Sequence, residues 1–337
     1  MKKKIPITPT EGSLIGIIVL YCIFVTIINP AFLSLETLFD ILRSSAATTI
    51  MAAGIMVVII SGGIDVSFTA VALFGAYVTT KILVESPFPW MDNLGVAFLL
   101  STLMGAVWGV FNAVIVHKMK LPAFIITLGT QNLIFGVMTT FIGSKTYGAT
   151  AIPEAFSNFA SAQIVEISTE NGKAGVSAFI IPVILVLALT WFIMYKTKIG
   201  RAVFALGNSE SAAQRIGIVP FRVRLFVYTY MGALAGVAGI VYVSQVKCMY
   251  PNALVGDELS VIAAAVIGGT RLSGGQGKLL GAFLGVLIVH LLNNTLIFLG
   301  LSSSWNDFFI GALMIVSVSI TAYQERLKNR KHFIFTE

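Results

Sequence analysis

A short polar break interrupts a long apolar stretch of the sequence near position 60. Its residues, in order, are Ile60, Ser61, Gly62, Gly63, Ile64, Asp65, Val66 and Ser67. Carboxylate and hydroxyl oxygens can accept hydrogen bonds from the free amides that begin a helix, so Asp65 or Ser67 is a candidate helix cap. An acid is also costly within a membrane, where acidic residues mark hinges and transport pathways. We therefore keep two interpretations of the break, a structural cap and a hinge or pathway element.

Further polar side chains without charge lie inside apolar segments of the chain. They are Asn112, Thr127, Thr130, Gln131, Asn132, Asn293 and Asn294. Amide and hydroxyl groups can exchange hydrogen bonds with a hydroxylated solute without the cost of burying a charge. The same groups also join neighbouring helices, where such a bond contributes about 0.6 kcal/mol on average. The sequence thus predicts a polar translocation path, and helix–helix bonding is the alternative for each single residue.

The residue types needed for enzymatic or metal chemistry do not form a pattern in this sequence. The histidines stand far apart at His117, His290 and His332, and Cys22 and Cys248 show no metal or redox spacing. An active site requires a nucleophile, a base or metal ligands that converge. We therefore predict that the protein is not an enzyme and that it binds no cofactor directly.

The composition assigns the chain to the membrane proteins. Of its 337 residues, 57% are hydrophobic and only 11% are charged, whereas a soluble domain has roughly 25% charged residues. The net charge of +7 comes from cations near the ends of apolar segments, where topology and lipid headgroups account for them. We therefore expect an all-α polytopic membrane protein in a lipid bilayer, with no nucleic-acid partner.

Ten apolar runs are candidates for membrane-spanning helices. They cover residues 14–33, 41–60, 66–84, 94–116, 122–143, 177–195, 225–246, 257–270, 275–299 and 305–323. All but the eighth have roughly the 17 to 25 residues that a bilayer requires. Ten spans place the basic residues at 117–120, 196–224 and 326–331 together in the cytoplasm, as the positive-inside rule demands. The sequence predicts one transmembrane domain over residues 1–337, with an uncleaved first span and an external loop at 144–176 that could receive an external partner.

Glycine positions predict how these helices pack and where they break. The glycines spaced by four residues are Gly105, Gly109, Gly232, Gly236, Gly277, Gly281 and Gly285. This spacing permits close approach of helix backbones in lipid. The pairs Gly62-Gly63 and Gly268-Gly269 each follow an apolar run, and we predict a broken segment near both. Paired breaks are typical of a transport pathway.

The segment 196–224 is a basic, polar island between two apolar runs. Its cations are Lys196, Lys198, Arg201, Arg215, Arg222 and Arg224. Within it, Glu210, Ala212 and Ala213 precede Gly217 and Ile218, an order that predicts a short helix stopped by glycine. Small residues on one face of such a helix would permit close docking on a partner. An ordinary cytosolic loop is the alternative.

Four sequence motifs resemble those of ribose-type ABC permeases and occur in the same order. They are SGGIDVS at 61–67, LPAFIITLGT at 121–130, GRAVFALGNSESAAQRIGI at 200–218 and VIGGTRLSGGQG at 266–277. The resemblance extends over nearly the whole chain. It implies the permease subunit of an ATP-driven importer for a small sugar, a multi-pass protein of the bacterial inner membrane.

The resemblance also implies partners and a coupling site. ATP would be hydrolysed by a separate ABC ATPase subunit, which would contact residues 196–224 as a cytoplasmic coupling loop. The coupling residues would be Glu210, Ala212, Ala213, Gly217 and Ile218. An external solute-binding protein would deliver the substrate, and a second permease chain, identical or paralogous, would help to enclose the path. From their residue types, the pathway or hinge positions are Ser61, Gly62, Gly63, Asp65, Ser67, Asn112, Thr127, Gln131, Asn132 and Asn293.

One pentapeptide in the fourth motif also matches the signature of a different class of protein. Residues 272–276 spell LSGGQ, the signature of ABC ATPase subunits, where it opens a helix toward a nucleotide phosphate. That use requires a phosphate loop elsewhere in the chain, and the pair Gly277-Lys278 lacks the surrounding pattern. We interpret LSGGQ as a chance match in a cytoplasmic turn before a glycine-striped helix.

Two alternatives to sugar import stay open. An ion-coupled secondary transporter of a small polar solute usually needs an intramembrane acid, and Asp65 is the candidate. An ABC importer of this kind could instead carry a nucleoside or a furanosyl signalling molecule, because the predicted polar lining suits any of these solutes.

Overall fold

The computed structural model describes residues 9–85, 92–169, 172–302, 304–316 and 319. The basic residues at 326–331, on which part of the topology prediction depends, lie outside these ranges. So do both ends of the predicted domain 1–337 and residues 170 and 171 of the predicted external loop.

Helices make up most of the described chain. In chain order they are α1 (Pro9–Ile28), α2 (Leu35–Ser44), α3 (Ala46–Ile60), α4 (Phe68–Glu85), α5 (Leu94–Met119), α6 (Ala123–Val137), α7 (Glu154–Ser161), α8 (Ile180–Lys196), α9 (Lys198–Asn208), α10 (Glu210–Arg215), α11 (Pro220–Val246), α12 (Asp257–Ile267), α13 (Leu279–Phe298) and α14 (Trp305–Val316). A 3₁₀ turn at Pro30–Phe32 follows α1, and a π-helical turn at Met138–Ile142 extends α6.

The predicted external loop at 144–176 has regular structure of its own. Strand β1 (Gln163–Thr169) pairs antiparallel with β2 (Gly172–Ser177). Helix α7 precedes the strands, and the Asp92 carboxylate accepts hydrogen bonds from the amides of Glu154 and Ala155 at its start (3.0 and 3.1 Å). The all-α prediction therefore describes the helical bundle, to which this segment adds a small β-hairpin.

Six helices of the described chain are long and apolar enough to cross a membrane. They are α1, α4, α5, α6 with its π turn, α11 and α13. Two bent pairs, α2 with α3 (47°) and α8 with α9 (72°), raise the number to eight if each pair is one span.

The predicted number of ten spans is not confirmed. The run at 257–270 corresponds to α12, which has 11 residues. Helix α14 covers the first part of the run at 305–323, of which residues 317, 318 and 320–323 lie outside the described ranges. At about 1.5 Å per residue, α12 is roughly 16 Å long, about half the thickness of the hydrocarbon core.

Helix α11 lies at the centre of the bundle and packs most extensively on α5, then on α3 and α4. Helix α3 is apolar on all sides and almost wholly buried, as expected for a helix that other helices surround. Helix α1 packs on α13 and exposes apolar side chains such as Leu20 and Ile27. Apolar surface of this kind is compatible with lipid around the edge of the bundle.

The spaced glycines bring helix backbones into contact, as the sequence predicts. A Cβ atom on Gly105 would collide with the carbonyl oxygen of Gly232, and a Cβ on Gly232 would collide with that of Gly105. Gly285 on α13 lies in the same way against the Ala264 carbonyl on α12. For Gly277 the prediction of a contact within the helix is wrong. Gly277 precedes α13 and packs against the Ile60 side chain.

Candidate functional site

Helix α3 ends in a glycine turn at the first predicted break. The Gly62 amide donates to the Ile59 carbonyl oxygen (2.9 Å), and the Gly63 amide donates to the Val58 carbonyl oxygen (3.2 Å). This pair of bonds defines a Schellman motif, in which the turn residue takes a positive φ. Gly62 has φ +87°, a conformation that a residue with a Cβ atom rarely adopts.

Helix α12 ends in the same way at the second predicted break. The Gly269 amide donates to the Val266 carbonyl oxygen (2.8 Å), and the Thr270 amide donates to that of Ala265 (3.1 Å). Gly269 has φ +88°. The structure therefore contains both breaks, near Gly62-Gly63 and near Gly268-Gly269, and the two have equivalent backbone turns.

Three segments that are distant in sequence meet beside the first break. We call their contact the glycine junction, formed by Gly62, Gly207, Gly274 and Gly275. The Gly275 amide donates to the carbonyl oxygen of Ile60, the last residue of α3 (2.8 Å). A Cβ atom on Gly207 would collide with that same carbonyl, and one on Gly274 would lie 2.8 Å from the Gly207 carbonyl oxygen. Glycine at these positions allows the backbones to touch.

The LSGGQ pentapeptide forms part of this junction. Its two glycines, Gly274 and Gly275, have φ +86° and +72°. The Asn208 Nδ2 atom, at the end of α9, donates to the Gly275 carbonyl oxygen (3.3 Å). The pentapeptide lies in a turn before α13, and its glycines pack against the backbone of α9 and against the first break.

Helix α10 follows the junction and contacts α9 and α11. The Ser209 hydroxyl caps its start by accepting a hydrogen bond from the Ala212 amide (3.3 Å). Gly217, with φ +85°, ends it, and the Ile218 amide donates back to the Ala213 carbonyl oxygen (3.0 Å). Within α10 only Ala213 is buried, so the helix offers most of its surface to solvent or to a partner.

An ion pair joins α10 to α11. The Arg224 Nη2 atom lies 2.6 Å from Glu210 Oε2, and Arg224 Nη1 lies 3.4 Å from His117 Nδ1 on α5. The Arg224 side chain is 25% exposed and that of Glu210 is 44% exposed. Arg224 therefore links three helices at one end of the bundle. We call this end, which also carries Lys120, the basic end.

A cavity of about 760 Å³ opens at the basic end. Its lining includes Ser61, Gly62, Gly63, His117, Lys120, Asn208, Glu210, Arg224 and Ser273. The cavity lies between the first break, the α5–α6 turn and the α9–α10 segment. It brings the predicted coupling residue Glu210 together with three of the predicted hinge residues.

Asp65 is buried in the interior of the bundle, with only 2% of its surface exposed. Its Oδ1 atom accepts hydrogen bonds from the Ser67 amide (2.8 Å) and the Ser67 hydroxyl (2.7 Å). The Ser67 hydroxyl oxygen accepts in turn from Asn112 Nδ2 (2.7 Å). The Thr127 hydroxyl accepts from the Val66 amide (3.2 Å). Asp65 thus caps the turn that leads into α4, and these bonds join the first break to α5 and α6.

The remaining candidate pathway residues lie in other surroundings. Gln131 is buried on α6, whereas Asn132 faces outward and its side chain donates to the Leu128 carbonyl oxygen (3.0 Å). Asn293 lines a second cavity, of about 380 Å³, at the opposite end of the bundle. We call it the distal cavity. The candidate residues therefore occupy an interior cluster, an outward helix face and two separate cavities.

Replacing Asp65 by alanine is expected to destabilise the fold. The change would leave the buried Ser67 amide without its acceptor, and an unpaired buried polar group costs about 1–3 kcal/mol. We therefore expect a lower Tm for the purified chain in detergent. Asn252→Ala, at an exposed position between α11 and α12, is the matched control, because a change at an exposed side chain usually stays within about 0.5 kcal/mol. Equal Tm values for both variants would show that the Asp65 bonds do not support the break.

Sequence reasoning did not single out Gly207 or the pairing of Arg224 with Glu210. The sequence offers one local signal for Gly207. It is followed by an asparagine, and the pair stands shortly before the predicted short helix. Nothing local indicates the ion pair, because its partners lie on different helices. Within the described ranges, no group of three or more His, Cys, Asp or Glu side chains is placed to hold a metal ion.

These features together define a class of protein. Long apolar helices pack through glycines, α3 and α12 end in equivalent glycine turns, and a polar cavity opens at each end of the bundle. This is the architecture of a multi-pass membrane transport protein.

A comparison with known proteins gives the family. The family model described as "Branched-chain amino acid transport system / permease component" matches residues 37–318. The chain therefore belongs to this family of permease components.

Three similar relatives extend this result. Ribose import permease protein RbsC of Haemophilus influenzae is 34% identical over 315 residues, which cover 93% of this chain and 92% of the relative. The protein of the same name from Escherichia coli K12 is 33% identical over 92% of each chain. Autoinducer 2 import system permease protein LsrC of an Enterobacter species is 30% identical over 94% of this chain and 90% of its own. No solved structure matches the chain. The resemblance to ribose-type ABC permeases is confirmed.

Proposed function

We propose that the chain is the membrane-spanning subunit of an ATP-driven ABC importer for a small, ribose-type sugar. The observation that carries the proposal is the 34% identity to a ribose import permease over 93% of the chain. On this proposal the protein lies in the bacterial inner membrane and has no catalytic site of its own. ATP acts through a partner ATPase subunit, and no cofactor binds to the chain directly.

The basic end is the proposed contact with the ATPase subunit. The positive-inside rule places the basic segment 196–224 in the cytoplasm, where ATP is available. Helix α10 is exposed at this end, and Ile216 just beyond it has 74% of its surface exposed, which supports docking of a partner. We assign coupling to Glu210, Ala212, Ala213, Gly217 and Ile218. A movement of α10 would reach the first break through α9 and the glycine junction, and it would reach α5 through Arg224.

The opposite end is the proposed landing surface for an external solute-binding protein. Helix α7 and the β1–β2 hairpin form this surface within residues 144–176. Three apolar side chains of β1, Ile164, Val165 and Ile167, are exposed there. Exposed apolar side chains beside polar ones suit a surface that binds another protein.

A second permease chain, identical or paralogous, is proposed to pack on the outward face of α6. Gly129 and Gly136 on this face have open space where a Cβ atom would stand, which suits close approach of another helix. Asn132 lies between them and is exposed. Lipid tails offer no hydrogen-bond partner to an amide, whereas a second chain can.

Import of a signalling molecule is the second candidate function. The observation in its favour is the 30% identity to an autoinducer 2 import permease. The ion-coupled alternative has less support, because Asp65 would have to exchange ions with water. Asp65 is 2% exposed, and its carboxylate already accepts two hydrogen bonds from Ser67.

Co-purification from native membranes tests the proposal. A tagged copy of the chain is isolated, and mass spectrometry identifies the proteins that accompany it. We expect an ABC ATPase subunit together with a sugar-type binding protein, and uptake that requires ATP. Recovery of the chain alone, with uptake abolished by an ionophore, would contradict the proposal and indicate an ion-coupled transporter.

A further inference from the structure

The distal cavity is separated from the basic end by the length of α11. Arg224, near the start of α11, lies at the basic end, whereas Tyr242 and Gln245, near its end, line the distal cavity. The first turns of α3, α12 and α14 and the middle of α13 complete the wall. The polar side chains of interest are Asp257, Ser260, His290, Asn293, Asn306 and Asp307.

Two carboxylates and one unpaired amide oxygen give this lining several hydrogen-bond acceptors. Asp257 and Asp307 each contribute a carboxylate. The Oδ1 atom of Asn306 is buried and has no hydrogen-bond partner in the described structure. The His290 ring is already engaged, because its Nε2 atom lies 3.0 Å from the Thr48 hydroxyl oxygen. Among the described residues that line the cavity, none is Lys or Arg.

The acidic groups influence one another electrostatically. Asp257 and Asp307 are exposed residues. Partial desolvation of the Asp257 carboxyl, and then the nearby carboxylates of Glu258 and Asp307, raise the pKa of Asp257 above its ordinary value. Asp257 is the first residue of α12 and lies outside the helices that are long enough to span the membrane. A solute that carries phosphate or carboxylate would add further negative charge here. A hydroxyl group, in contrast, can donate a hydrogen bond to each acceptor.

We propose that the distal cavity binds one neutral, hydroxyl-rich solute and that Asp257 and Asp307 exclude phosphorylated and acidic solutes. The hydroxyls of the solute donate hydrogen bonds to the two carboxylates and to Asn306 Oδ1. The cavity volume of about 380 Å³ lies near the lower limit of small-molecule pockets, roughly 300–1,000 Å³. The inference rests on the proposed function for the type of solute. Beyond the proposed function, it assigns a solute site to each permease chain and assigns the exclusion of negatively charged solutes to that site.

Protection of a reporter cysteine tests the site in the assembled importer. Cys22 and Cys248 are first replaced by serine, and Asn293→Cys then places a reporter in the distal cavity. Gly12→Cys is the matched control, because this exposed position of α1 lines neither cavity and has nothing within 4 Å of a Cβ atom. An uncharged maleimide labels each reporter in the presence of ribose, xylose, galactose or fructose. With a bound sugar at about ten times its Kd, labelling of Asn293→Cys should slow by about tenfold, because only the empty fraction reacts. Labelling of Gly12→Cys should not change.

The phosphate ester of the protecting sugar tests charge selection. It should leave the labelling rate of Asn293→Cys unchanged. When Asp257→Asn and Asp307→Asn are added, the ester should protect as well, and continued protection by the neutral sugar shows that the site is still formed. Equal protection by the sugar and its ester in the unaltered lining would overturn the proposal, as would labelling that no neutral sugar slows.

These results are separable from those that test the proposed function. ATP-dependent uptake without protection of Asn293→Cys overturns the assignment of the distal cavity and leaves the importer in place. Protection without ATP-dependent uptake supports the solute site and counts against the importer.

Discussion

Gly207→Val is expected to reduce solute uptake strongly while the chain stays folded in the membrane. A Cβ atom at this position would collide with the Ile60 carbonyl and lie 2.6 Å from the Gly275 amide nitrogen. Helix α9 must therefore move away from α3 and carry α10 with it. Overpacking of this kind costs about 1–3 kcal/mol, which is small for a bundle whose main contacts lie elsewhere. We expect uptake to fall by about 5–150-fold, the range that corresponds to the loss of 1–3 kcal/mol of coupling.

The measurement is uptake of labelled sugar at equal amounts of chain in the membrane. Gly16→Val is the matched control, because nothing lies within 4 Å of a Cβ atom at this exposed position of α1. Its uptake should equal that of the unaltered chain. Gly207→Ala should already be impaired, since the Cβ atom alone produces the collision. Normal uptake by Gly207→Val would show that the glycine junction is not closed during transport.

Glu210→Lys is the second change for which we expect a large effect. Two unit charges about 4 Å apart interact by about 1 kcal/mol in bulk water and by about 4 kcal/mol near a protein surface. The substitution replaces attraction to Arg224 by repulsion, and the short helix α10 is exposed enough to move. We expect uptake to fall by at least about tenfold, which corresponds to 1.4 kcal/mol. The amount of folded chain should not change, since an exposed ion pair contributes only about 0.2–1 kcal/mol to stability.

A charge exchange separates two explanations for this loss. Arg224→Glu alone should impair uptake as Glu210→Lys does. Combined, the two substitutions restore an ion pair of opposite polarity between α10 and α11, and we expect most of the uptake to return. If the double variant stays inactive, Glu210 acts by direct contact with the ATPase subunit and the bond to Arg224 is secondary. A bulky residue in place of Gly217 should also abolish uptake, because φ +85° at this position favours glycine.

Both helix breaks could be predicted from the sequence because their cause is local. In a Schellman motif, all partners lie within six consecutive residues, and the positive φ requires a residue such as Gly62 or Gly269. The short helix that ends before Gly217 follows from the same rule. The helix contacts at Gly105 and Gly232 were likewise visible as a spacing of small residues.

The glycine junction could not be predicted, because Ile60 and Gly275 are separated by most of the chain. The sequence also does not show in which direction the polar side chains inside the bundle point. Helices α5 and α6 are apolar around most of their circumference, so the sequence does not show that Asn112 faces Ser67 whereas Asn132 faces outward. One difference between the ten predicted spans and the six to eight candidate spans of the described chain has a related cause. Hydropathy continues beyond Ile267, although the helix itself ends there in a glycine turn.

The bond from the Gly275 amide to the Ile60 carbonyl also sets an order of events during synthesis. The turn at Gly62 needs only neighbouring residues, so it can form as soon as α3 leaves the ribosome. The Ile60 carbonyl receives its donor only after residues 272–277 have been made. A nascent chain halted before that segment therefore has an incomplete glycine junction, and its Ile60 carbonyl lacks the Gly275 donor. Synthesis of residues 272–277 supplies this donor and joins the end of α3 to the turn before α13.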